Sequence, residues 1–86
     1  MASVEELKAQ INSAVQAAEK ATEVFAAASS SLEQAVQLAS EAARGSSHDK
    51  LGEALRAFAE AKGRLDDATG ATKQGIETAK QYLAVI

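Results

Sequence analysis

The chain has 86 residues, enough for one small domain whose core only narrowly offsets the entropy lost on folding. It contains no Cys, which removes disulfides and thiolate metal sites as supports. Its 9 basic and 12 acidic residues are scattered along the chain at a net charge of −3, so no electrostatic footprint for nucleic acid is present.

Proline is absent, aromatics are limited to Phe25, Phe58 and Tyr82, and Ala, Glu, Gln, Lys and Leu dominate, a composition of long helices. The opening residues, Met1 to Glu6, hold neither a basic n-region nor an apolar run, and no apolar stretch is long enough to span a bilayer. The expectation is a soluble cytoplasmic protein. Ser3, followed three residues later by Glu6, forms a capping-box signature that starts the first helix near Val4. From there Val4, Leu7, Ile11, Ala14, Ala18, Ala21, Phe25, Ala28, Leu32, Ala35 and Ala39 recur at alternating steps of three and four, a heptad seam. Val15 and Val36 widen one edge of this seam and Val24 and Leu38 the other, giving the broad apolar stripe of a bundle helix.

Arg44 before Gly45 suits a helix end, with Gly45 expected in the left-handed conformation. Ser46 or Ser47 is expected to cap a second helix carrying Asp49 in its first turn. That helix places Leu51, Phe58, Leu65, Thr72, Ala79 and Ile86 in one row and Ala54, Ala61, Ala68, Gly75 and Tyr82 in another, with Leu55, Ile76 and Leu83 alongside. The register holds across Gly70, which favours a continuous helix over a break there. Helices over residues 4–44 and 48–85, joined by a turn at 45–47, give an all-α antiparallel hairpin in a single domain. Facing residue numbers then sum to about 90, and at about 1.5 Å per residue the rod is roughly 60 Å long.

A two-helix rod offers no concave interior in which to desolvate a general acid or base, so the reading is non-enzymatic, with no catalytic residue and no cofactor. His48 is the sole histidine, stands beside Ser46, Ser47 and Asp49, and reads as a surface residue of the second helix's first turn. Ser29, Ser30 and Ser31 in mid-helix mark either a tolerated polar stretch or a close-approach site. One partner helix does not cover both edges of the first helix. Val15, Val24, Val36 and Leu38 are therefore the candidate partner-binding residues, for dimerisation into a four-helix bundle or for a similar hairpin. The alternative is reversible lipid-surface binding through Thr72 to Ile76 and Thr78 to Lys80, which resemble the repeats of lipid-associating helices.

Two heptad helices about a glycine turn resemble the early-secreted-antigen-like, Trp-x-Gly type hairpins of type VII secretion. That resemblance implies a partner-binding module pairing with a similar hairpin, linked to a secreted effector and exported without a cleaved signal peptide. The turn here reads Arg44-Gly45-Ser46-Ser47-His48 and shares only the Gly, and Tyr82 is followed four places on by Ile86 where the family's export signal has an acidic residue. The chain also looks like small, Ala-rich actinobacterial hairpins of unknown function with a Gly-Ser-Ser turn.

Overall fold

A computed structural model describes residues 3–86: a hairpin of two long helices, α1 (Val4–Arg44) and α2 (Asp49–Val85). The molecule is a rod measuring 63 × 19 × 14 Å. At α1's start the Ser3 hydroxyl accepts the Glu6 amide at 3.1 Å, occupying one of the donors a helix leaves unpaired there, while Glu5 and Glu6 place negative charge at the positive end of the dipole. α2 runs unbroken through Gly63, Gly70 and Gly75, so the apolar register outweighs the glycines' preference for turns.

The connection differs from the sequence expectation in two respects. Gly45 keeps a right-handed conformation, φ −96°, ψ −1°, because the last turn of α1 tightens instead of unwinding: Gly45 and Ser46 donate to the Ala42 and Ala43 carbonyls at 3.1 and 3.4 Å. The cap of α2 is His48 in place of either serine. Its extended backbone brings Nδ1 to accept the Lys50 amide at 3.1 Å, while Ser46 Oγ accepts the His48 amide at 3.4 Å.

The seam is also rotated relative to expectation. The row Ile11, Ala18, Phe25, Leu32 and Ala39 stays central in α1, but the one buried side chain among the described residues is Val15, at 6% exposure, whereas Ala14 is exposed and Ala21, Ala28 and Ala35 are half-buried. In α2 the bordering residues Leu55, Lys62, Thr69, Ile76 and Leu83 are all half-buried, whereas Gly75 and Tyr82 are exposed. The helices roll toward Val15, Val36, Leu55, Ile76 and Leu83 because those side chains remove more apolar area from water than the alanines and glycine across the seam. Phe58, expected inside against Leu32, is 37% exposed, although Leu51, Leu65, Thr72 and Ala79 of its row are half-buried.

Candidate interaction surface

Two helices packed antiparallel present two broad faces, and heptad geometry assigns each bordering row to one of them. On the first face Val15, Thr22, Ser29 and Val36 of α1 border Leu55, Lys62, Thr69, Ile76 and Leu83 of α2. Two polar contacts close this face across the seam: Ser29 Oγ donates to Asp66 Oδ1 at 2.8 Å and Lys80 Nζ lies 3.7 Å from Glu19 Oε2, while within α2 Lys62 Nζ meets the same carboxylate at Oδ2, 3.1 Å away. The Ser29 hydroxyl, then Lys62, hold the Asp66 carboxyl below its ordinary value, against a smaller opposing effect of desolvation. Ser29 is thus a cross-hairpin latch. Thr69 and Thr72, half-buried at the seam, turn their hydroxyls back onto the Leu65 and Ala68 carbonyls at 2.9 and 2.8 Å, so polar residues here leave no unmet hydrogen bond.

The opposite face has another chemistry. Its α1 side consists of the alanine row Ala14, Ala21, Ala28 and Ala35, bordered by Gln10, Ala17, Val24, Ser31 and Leu38, without a charge in either row. Its α2 side consists of Ala54, Ala61, Ala68, Gly75 and Tyr82, bordered by Ala57, Ala71, Thr78 and Val85, with Lys50 and Arg64 as its only charges. Val24 is 60% exposed, Leu38 59% and Val85 79%. Where Ala14 meets Gly75 the missing side-chain bulk opens a groove of about 280 Å³, walled by Ala18, Thr72 and Ala79, with the buried Val15 and half-buried Ile76 beneath.

The chain exposes 6239 Å², against about 4,800 Å² expected of a compact monomer of its mass, an excess of about 1,400 Å². Compared with family models, with curated proteins and with solved structures, the chain matches none. The surface itself therefore carries the functional reading.

Of the four residues expected to bind a partner, the structure groups only two on open surface. Val24 and Leu38 share one edge of the uncharged face. Val15 is a correction: it is spent inside the hairpin, because α2 rolls over that edge, and Val36, farther along the same row, is half-buried. The sequence reading missed that only one edge is covered. The signal was present in the rows: bulky residues and charge partners gather on the Val15 side, alanine and glycine on the Val24 side.

A polar depression at the turn, lined by Ser46, Ser47, His48, Asp49, Glu53 and Arg56 among others, is the other recess of note. Its histidine is engaged structurally: Nδ1, which a hydrolytic triad would turn toward a carboxylate as a donor, accepts the Lys50 amide instead. Among the described residues no group of three His, Asp or Glu is placed to hold a metal ion.

Proposed function

We propose that the protein is a non-catalytic interaction module that docks the uncharged face of its hairpin onto another helical hairpin, either a second copy or a similar partner. The observation that carries this reading is the segregation of chemistry between the two faces. One is latched by Ser29, Asp66, Glu19 and Lys80, and the other leaves Val24, Leu38, Tyr82 and Val85 in water with two charges among its rows. A helix packs best onto such a surface, because alanine rows let backbones approach to about 8 to 10 Å while the scattered larger residues interdigitate.

Lipid binding uses a different part of the molecule. Thr72, Ile76 and Ala79, the less polar residues of the segment that resembles lipid-associating repeats, are half-buried in the hairpin seam, so an interfacial role requires the hairpin to open. No helix among the described residues is long and apolar enough to cross a membrane.

Two measurements on the intact chain test the proposal. Co-sedimentation with anionic phosphatidylserine-containing vesicles is expected to leave the protein in the supernatant. Hydrogen exchange is expected to show slow amides across Val15, Ser29 and Ile76 and faster ones along the Val24 and Leu38 edge at low concentration. Capture by vesicles together with loss of protection across the seam would overturn the docking proposal in favour of a membrane-surface protein.

A further inference from the structure

From the composition of the open face we infer that its occupant is a second copy of this chain, packed with the turns at opposite ends so that one α1 edge runs antiparallel to the other about Val24. This rests on the docking proposal above and names its partner and geometry.

The area available fits a homotypic partner. A stable interface takes about 800 Å² from each partner, and the surface the rod exposes beyond that of a compact monomer of its mass, about 1,400 Å², exceeds this. Two-fold symmetry then makes a single patch serve both sides, which requires the patch to be compatible with itself. The α1 edge meets this condition, being uncharged from Gln10 to Leu38.

The placement of the bulky residues selects the orientation. Val24 stands near the middle of α1, and Leu7 and Leu38 lie toward its two ends. A two-fold axis across the rod at Val24 sets Val24 beside its own copy and Leu38 level with Gln10 of the second chain, with no charge brought against either apolar residue. The other two-fold arrangement, with both turns at one end, stacks α1 on α2. It sets Val24 over Arg64 and Leu38 over Lys50, the only two cations of the face, and would strip water from the Arg64–Glu60 and Lys50–Glu53 ion pairs of α2 against apolar side chains.

The absence of Cys from the chain makes the geometry testable by cross-linking. Under mild oxidation Val24→Cys is expected to give a covalent dimer within the concentration range where the wild type is dimeric by sedimentation equilibrium. Gln16→Cys, on the outward row of α1, is expected to stay uncrosslinked, and Leu38→Glu to weaken dimerisation at least tenfold with helical circular dichroism retained.

A wild type that remains monomeric to hundreds of micromolar overturns the second copy as occupant and leaves docking of a different hairpin standing. A dimer in which Val24→Cys fails to cross-link overturns the geometry. A dimer that survives Leu38→Glu overturns the face.

Discussion

Gly63 and Gly70 lie on the outermost row of α2, turned away from both faces, inside a helix that contains no positive-φ residue. A methyl group added at either position meets no atom within 4 Å. Replacing each by Ala therefore introduces no clash and no new contact, and the effect comes from the unfolded chain, which loses freedom that glycine alone enjoys.

The difference is about 1 kcal/mol for each site in a helix interior, and the two sites are far enough apart along the rod to add, giving about 2 kcal/mol for the double variant. For a chain of this size that corresponds to roughly 5 °C per site and about 10 °C for both. Thermal and urea unfolding followed by circular dichroism at fixed protein concentration reads it. The urea midpoint is expected to rise without a change in slope, because the surface exposed on unfolding is unaltered. A double variant that melts at or below the wild-type temperature would refute the reasoning: the helix would then need those glycines for bending or local opening.

Val15 is the most deeply buried side chain among the described residues, so Val15→Ala is expected to cost about 2 kcal/mol, a large share of the stability of so small a core, seen as a lower urea midpoint. An unaffected midpoint would show that the seam does not centre on Val15. Asp66 has a depressed carboxyl pKa in the native state, so its contribution to stability is complete above the unfolded-state value of 3.8 and disappears as pH falls through the lower native value. The urea midpoint of Asp66→Asn is expected to lie below that of the wild type near neutral pH, and the gap to close at about pH 2. A gap that persists unchanged in acid would mean that the Asp66 charge plays no part in the latch. Ser3→Ala is expected to cost about 1 kcal/mol and to fray the first turn of α1, measurable as faster amide exchange near Glu6.

The heptad rows were enough to specify two helices, their approximate ends, the antiparallel register and the continuity of α2 through Gly70. All of these depend on local period and on matching apolar rows, both written directly in the residue order. The caps at the turn were less legible, because serine, histidine and glycine can each satisfy a helix end and the choice depends on how tightly the last turn of α1 winds.

What tertiary structure alone decided is the roll of one helix about the other. A heptad stripe wider than two rows permits several seams, and the row contents bias the choice without fixing it. Selection follows from which side chains remove most apolar area together and which polar groups meet across the gap, as Ser29 meets Asp66. That roll buried Val15, left Val24 and Leu38 in water, and so placed the open surface on one face only, because two rods in contact can cover no more than one broad stripe of each other.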